Sequence, residues 1–160
     1  MTRLTIKFPY TFEPGPPGGV LTDMAAADGS VYVATIDEPV GLKSMASIDG
    51  DKPTGVAPSG DIEALSLATG KVEWDTKVSS LPLGAATVSN DLVFTTLENG
   101  ELIALNRSTG AIVYQQKLPT TTNSPIAITS NAILVPADGP VTSAKLAGGG
   151  NPQLVAYTVH

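Results

Sequence analysis

Apolar and polar residues alternate in many short segments of this chain, and turn residues separate the segments. Residues 3–8 show the pattern, and four further segments follow one another within residues 85–117. Alternation with a period of two is typical of a β-strand with one covered face. No segment has the apolar spacing of an amphipathic helix. The pattern therefore predicts an all-β chain of short antiparallel strands, including a four-stranded meander over residues 85–117.

Turn residues divide the chain into an N-terminal segment and three similar units. The segment that begins the chain has one predicted strand, followed by a loop. Because residues 13–19 contain three Pro and three Gly, we expect no strand ladder there. The third unit shows three strands before the sequence ends, whereas the others show four. The predicted divisions are residues 1–23, residues 24–77 with a surface insertion at 37–59, residues 78–117, and residues 118–160 with an insertion at 137–152.

Part of the first unit returns in the second unit at a distance of 40 positions. Residues 60–77 read GDIEALSLATGKVEWDTK, and residues 100–117 read GELIALNRSTGAIVYQQK. Self-similarity at this period indicates supersecondary units that bury their faces against copies of themselves. The positions that correspond are Ala64 and Ala104, Thr69 and Thr109, Gly70 and Gly110, and Trp74 and Tyr114.

Composition narrows the possible partners. The net charge of −6 would repel a phosphate backbone, so we expect no nucleic-acid partner. The absence of Cys excludes disulfides and thiolate metal sites. No apolar run approaches the roughly 18 to 20 residues of a membrane span, so we expect no membrane insertion. Residues 1–10 lack the continuous apolar core of an export signal.

The spacing of Ala64, Thr69, Gly70 and Trp74 resembles the tryptophan-docking motif of the pyrroloquinoline-quinone (PQQ)-like, quinoprotein alcohol dehydrogenase-like β-propeller repeat. The second copy retains Ala, Thr and Gly, with Tyr114 in the Trp position. The resemblance implies a partial β-propeller of about three four-stranded antiparallel blades. In this family, Thr-Gly makes a tight turn, and the aromatic ring packs between blades beside a small Ala. These eight positions are therefore predicted to be structural.

The predicted number of blades leaves two blade faces uncovered. Propellers have about 4 to 8 blades, whereas three are expected in this chain. We expect either a piece of a larger propeller, resembling a C-terminal part, or closure by self-association. In the second case, residues 3–8 of one copy would complete the third blade of another.

We predict no catalytic residues. The resemblance raises the possibility of PQQ bound over calcium, but neither calcium ligands nor a catalytic Asp can be placed by motif, and the only Trp belongs to the docking motif. Asp49 and Asp51 offer the oxygen ligands that calcium prefers. Their spacing does not match an EF-hand, so we expect a solvated acidic loop. No cofactor is expected for this chain alone.

Two functions remain open. In the first, the chain is a non-catalytic scaffold whose insertions bind a protein or a small ligand. In the alternative, it is the C-terminal part of a PQQ-dependent oxidoreductase, with cofactor ligands outside this chain. The resemblance implies a periplasmic or extracellular location, and export would then require a longer precursor.

Overall fold

The computed structural model describes residues 18–37, 40–41, 52–53, 58–137 and 152–158. Every regular element in these ranges is a strand, and no helix occurs among them, which confirms the all-β prediction. The strands in chain order are β1 (Gly18–Gly19), β2 (Ala25–Ala27), β3 (Ser30–Asp37), β4 (Val40–Gly41), β5 (Lys52–Pro53), β6 (Ser59–Ser66), β7 (Val72–Val78), β8 (Thr87–Ser89), β9 (Leu92–Leu97), β10 (Glu101–Asn106), β11 (Ile112–Lys117), β12 (Ala127–Ile128), β13 (Ala132–Ala137) and β14 (Gln153–Thr158).

The first sheet is formed by β1, β2, β3, β6 and β7. Both β1 and β2 pair with β3, whereas β6 lies on the other side of β3 and β7 lies outside β6. The turn between β2 and β3 has positive φ at Asp28 and at Gly29, as a two-residue hairpin turn requires. The predicted absence of a ladder in residues 13–19 is wrong at Gly18 and Gly19, which pair with Asp37 and Ile36. Glycine retains its backbone donor, so it can join a short edge ladder that proline could not.

The second sheet is a meander of β8, β9, β10 and β11 in spatial order. Its turns fall where Asn, Asp and Gly predicted them, with φ of 49° at Asn90, 80° at Gly100 and 72° at Gly110. The third sheet has β12, β13 and β14. The three antiparallel sheets are of the type found in β-propellers, which confirms the predicted partial propeller.

The first insertion has more structure than a simple loop. Within it, β4 pairs with β5 in a two-stranded ladder, and β6 already begins at Ser59. The rest of this insertion, most of the second insertion and the predicted strand at residues 3–8 lie outside the described residues.

The three sheets share one register across their central strands. Ala64 pairs with Tyr32 on β3 and with Trp74 on β7. In the same way, Ala104 pairs with Phe94 on β9 and with Tyr114 on β11. Ala156 on β14 pairs with Leu134 on β13. A common register places corresponding side chains on the same face of successive sheets, because side chains alternate between faces.

The core has two apolar clusters that join neighbouring sheets, and a third, smaller cluster of Val31, Val33 and Leu65 in the first sheet. The first includes residues from the first and second sheets, and the second includes residues from the second and third sheets. Burial between sheets is the main stabilising contribution in such repeats. The buried members are Tyr32, Ala34, Ile62, Ala64, Val78, Ala86, Val93, Leu97, Ile103 and Leu105 in the first cluster, and Phe94, Leu102, Ala104, Leu118, Ile126, Val135 and Ala137 in the second.

Candidate functional site

Trp74 lies at the contact between the first and second sheets. Its position on β7 is set by the pairing with Ala64, where the ladder between β6 and β7 has an irregularity after Ala64. The indole is half-buried and packs on the first cluster. Its ring centroid is 5.9 Å from that of Tyr32, with the two planes tilted by 35°. The fully buried Ala64 leaves room for both rings.

Two hydrogen bonds attach β7 to the turn between β10 and β11 of the next sheet. The Trp74 Nε1 donates to the backbone carbonyl oxygen of Arg107 at 2.8 Å. The Thr76 hydroxyl donates to the carbonyl oxygen of Gly110, also at 2.8 Å. These donors lie two residues apart and therefore on the same face of the strand. One face of β7 thus recognises two carbonyls of a single turn.

Gly110 is required in this turn for two physical reasons. Its φ of 72° is in the left-handed region that disfavours other residues. A Cβ atom at this position would also lie 2.6 Å from Cε3 of Trp74. The close approach of the indole to the backbone therefore depends on the missing side chain.

Thr109 and Asn106 hold the same turn in shape. The Asn106 Oδ1 accepts hydrogen bonds from the backbone N–H of Ser108 and from the N–H and hydroxyl of Thr109. The Thr109 Oγ1 then accepts from the N–H of Ala111 at 3.3 Å. In the first copy, Thr69 Oγ1 accepts from the N–H of Lys71 at the same distance. The Thr of each Thr-Gly pair therefore stabilises its turn locally.

Arg107 adds an electrostatic link that the sequence analysis missed. Its guanidinium lies 2.7 Å from a carboxylate oxygen of Asp28 in the first sheet and 3.9 Å from Asp91 in its own sheet. A cleft of about 370 Å³ opens beside it, lined also by Ser30, Glu73 and Trp74. Both Asp partners are largely exposed, so each ion pair contributes at most about 1 kcal/mol. In the sequence, Arg107 is one cation on a turn, and nothing local indicates its partner.

The corresponding residues of the second copy face the third sheet. Ala104 is fully buried, and Tyr114 is 43% exposed. Burial raises the pKa of the neighbouring Tyr157 hydroxyl, and the proximity of Tyr114 raises it further. Ala156 has the register of Ala64 and Ala104 but is exposed. No strand among the described residues pairs with the outer edge of β14. In the first two sheets, the strands that carry Trp74 and Tyr114 occupy the corresponding edge beside Ala64 and Ala104.

Three carboxylates lie on β6 and β7 on the face of the first sheet that points away from the second. Glu63 is 2% exposed, and its Oε1 has no hydrogen-bond partner. Burial raises the pKa of Glu63, and the negative charges of Asp75 and Asp61 raise it further. A hydrogen bond from Thr35 acts in the opposite direction and lowers this pKa. Lys77 Nζ forms a salt bridge of 3.2 Å with Asp61.

The described residues contain no group of three or more His, Cys, Asp or Glu side chains that could hold a metal ion. Asp49 and Asp51 lie outside these ranges. Trp74 is committed to the contact with Tyr32, Arg107 and Gly110, so it is not a free platform for a planar quinone. In the same part of the chain, no helix is long and apolar enough to cross a membrane.

The sequence from residue 58 to residue 157 matches the PQQ-type family described as outer membrane protein assembly factor BamB. The match covers more than half of the chain. The chain belongs to this PQQ-type, BamB-like repeat family. The predicted resemblance is confirmed. No curated protein matches the sequence at a significant level.

Solved structures of this repeat type share the fold. Quinohemoprotein alcohol dehydrogenase ADHIIG from Pseudomonas putida HK5 is 14% identical over 72% of this chain and 21% of that chain, with a TM-score of 0.55. A europium-containing methanol dehydrogenase is 16% identical over 90% of this chain and 22% of that chain, also with a TM-score of 0.55. BamB from Moraxella catarrhalis is 20% identical over 78% of this chain and 46% of that chain, with a TM-score of 0.46. This chain spans about a fifth of the two dehydrogenases, and at such identities the likeness shows the fold alone.

Proposed function

We propose that the chain is a non-catalytic PQQ-like propeller module that acts as an interaction scaffold. It would do so as part of a larger propeller or by self-association. The observation that carries this proposal is the exposure of Ala156 on β14. In the first two sheets, the corresponding alanine is fully buried between an aromatic residue on a fourth strand and the residues of the next sheet. In the third sheet, an added strand together with a further blade would restore that arrangement.

The chemistry of β14 supports strand addition. The outer edge of a sheet is a template on which another strand can pair through backbone hydrogen bonds. Leu154 on β14 is 66% exposed and adds apolar surface beside this edge. The family to which the chain belongs is described as an outer membrane protein assembly factor, and this description is consistent with a role based on binding. We also propose a periplasmic or extracellular location, which is supported by the description of the family as an outer membrane protein assembly factor.

Light scattering of the purified chain at micromolar concentrations tests self-association. We expect a mass of two chains that decreases towards one chain for Leu154→Lys, because a charge on an edge strand opposes pairing. Val113→Lys is the matched control, since Val113 is similarly exposed on β11 of a sheet that already has four strands. A mass of one chain at all concentrations would contradict self-association.

Hydrogen exchange tests the scaffold proposal separately. In Leu154→Lys, which we expect to be a single chain in solution, the outward amides of β14 should exchange faster than those of β13, which pairs on both sides. Protection of all β14 amides at the level of β13, together with a mass of one chain, would show that this edge is already closed and would overturn the proposal.

A further inference from the structure

The cleft beside Arg107 opens at the boundary between the first and second sheets. Its volume is about 370 Å³, and two aromatic residues, Tyr32 and Trp74, form part of its wall. The remaining lining residues are polar or charged: Asp28, Ser30, Glu73, Arg107 and Ser108. A volume near the lower end of the range of ligand sites suits one side chain or one small molecule, and is too small for a strand or a helix.

Glu73 reaches this cleft because the ladder between β6 and β7 is irregular. The pairing steps from Trp74 directly to Val72, so Glu73 has no partner in the ladder. An extra residue of this kind bends the strand and redirects its side chain. Glu73 and Trp74 consequently line the same cleft, although adjacent residues of a regular strand point to opposite faces.

The charges in and beside the cleft leave an excess of carboxylate. The Arg107 guanidinium already has two carboxylate neighbours, Asp28 at 2.7 Å and Asp91 at 3.9 Å. Glu73 accepts a hydrogen bond of 2.6 Å from the Ser30 hydroxyl. Among the described residues, no cation forms an ion pair with Glu73. Because a carboxylate offers about four lone-pair sites, Glu73 keeps the capacity to accept further hydrogen bonds.

The second sheet lacks this lining, although it repeats the packing motif. The residues at the corresponding positions are Asn90 for Asp28, Leu92 for Ser30 and Val113 for Glu73. The Ala, Thr and Gly of the motif are retained in both copies. The repeat therefore packs its sheets without the charged lining, so packing alone does not explain these residues.

We infer that this cleft binds the guanidinium or ammonium group of an Arg or Lys side chain from a partner protein. The charged group pairs with the Glu73 carboxylate, and the alkyl stem lies on the part of Trp74 that lines the cleft, because such stems pack along apolar surface. A cation beside an indole is also attracted by the ring. A planar quinone would need a whole open ring face, whereas an alkyl stem needs only part of one. This inference rests on the proposed scaffold function and gives the chemistry of a partner that binds away from β14.

A cationic group suits the cleft better than an anionic one. The excess carboxylate repels an anion, and the net charge of −6 on the whole chain acts in the same direction. Arg107 shows that a guanidinium is accommodated between carboxylates at this boundary. The partner group repeats that pairing at Glu73, the carboxylate that Arg107 does not reach.

Capped tripeptides test the inference on the full chain. The probe is acetyl-Gly-Arg-Gly-amide, and its control has citrulline in place of arginine, which keeps the shape and removes the charge. Calorimetry measures the affinity, and the fluorescence of Trp74, the only Trp, reports binding at the cleft. We expect the arginine peptide to bind at least about tenfold more tightly, because hydrogen bonds between charged groups are the stronger ones. Absence of saturable binding, equal affinity of the two peptides, or binding that leaves Trp74 fluorescence unchanged would overturn the inference.

Two variants of the chain locate the site. Glu73→Gln removes the charge and keeps an oxygen that can accept from Ser30, and we expect at least about tenfold weaker binding of the arginine peptide. Asp23→Asn removes the same charge outside the cleft lining and should change the affinity less than about twofold, because distant surface charges are screened. Circular dichroism verifies that both variants are folded. Undiminished binding to Glu73→Gln would contradict the site.

Two further measurements separate this inference from its alternatives. Binding of agmatine, the free amine that corresponds to arginine, without binding of the tripeptide would assign the cleft to a small amine and overturn a partner side chain. A mass of one chain with retained peptide binding would contradict self-association and still support the cleft. An associated chain that does not bind the peptide would contradict the cleft alone.

Discussion

The indole N–H of Trp74 donates to the backbone carbonyl of Arg107 across the boundary between two sheets, at 2.8 Å. This bond joins the outer strand of one blade to a turn of the next. Its acceptor is a main-chain atom, so it depends on the shape of the turn and not on the identity of the Arg side chain. The contact between the first two sheets therefore depends on turn geometry as well as on the apolar cluster between them.

Replacing Trp74 by Ala should lower the free energy of unfolding by about 3 to 5 kcal/mol, because it removes a large ring from the first cluster. Trp74→Phe retains a six-membered aromatic ring but removes the five-membered ring with its N–H, so we expect a smaller loss of about 1 to 3 kcal/mol. Urea unfolding followed by circular dichroism measures both variants. A near-neutral Trp74→Ala would contradict the docking assignment.

Gly110→Ala should be more destabilising than Gly29→Ala, although both positions have positive φ. At Gly29 a Cβ atom would meet no atom within 4 Å. The loss of unfolding free energy there comes from the left-handed backbone alone and is about 1 to 2 kcal/mol. At Gly110 the Cβ also meets the Trp74 ring, so we expect about 2 to 5 kcal/mol. Chemical denaturation of the pair measures the difference. Equal losses would mean that the indole can move away without cost.

Glu63 should make stability dependent on pH. Its pKa in the folded chain is raised above the ordinary value of about 4.5, chiefly by burial. Below that ordinary value, the carboxyl is protonated in the folded and the unfolded chain. As pH rises from there through the folded pKa, the unfolded chain releases its proton more readily, and stability is lost.

Glu63→Gln should therefore raise the melting temperature at pH 8 and change it little at pH 4. Asp23→Asn removes an exposed carboxylate and is the control for the change in net charge. Thermal unfolding across this pH range makes the measurement. A destabilised Glu63→Gln at pH 8 would show that the carboxylate has a favourable partner.

Addition of PQQ and calcium should leave the chain without bound quinone. Trp74 is engaged between the first two sheets, and the described residues provide no group of metal ligands. Gel filtration with detection at the quinone absorbance measures whether quinone elutes with the protein, and a run without protein is the control. Quinone that elutes with the protein, or dye-linked alcohol oxidation, would favour the oxidoreductase alternative.

The sequence by itself determined the strands that recur in the repeated units, together with their turns and register. Strand positions follow from period-two alternation, and the turns follow from Asn, Asp and Gly, whose preferences are local. The hydrogen bonds of Thr69 and Thr109 within their own turns explain why the Thr-Gly pair was informative. The ladder at Gly18–Gly19 was missed because its pairing with β3 is set by a strand distant in sequence.

Only the tertiary structure decided what those elements contact. The carbonyl of Arg107 as the acceptor for Trp74, the ion pair between Arg107 and Asp28 and the burial of Glu63 all depend on neighbouring strands or sheets. Ala64 and Ala156 are alike in sequence pattern and in register, yet one is buried and the other is exposed. The physical reason is that burial depends on what packs beside a strand, and residue type and spacing do not encode that neighbour.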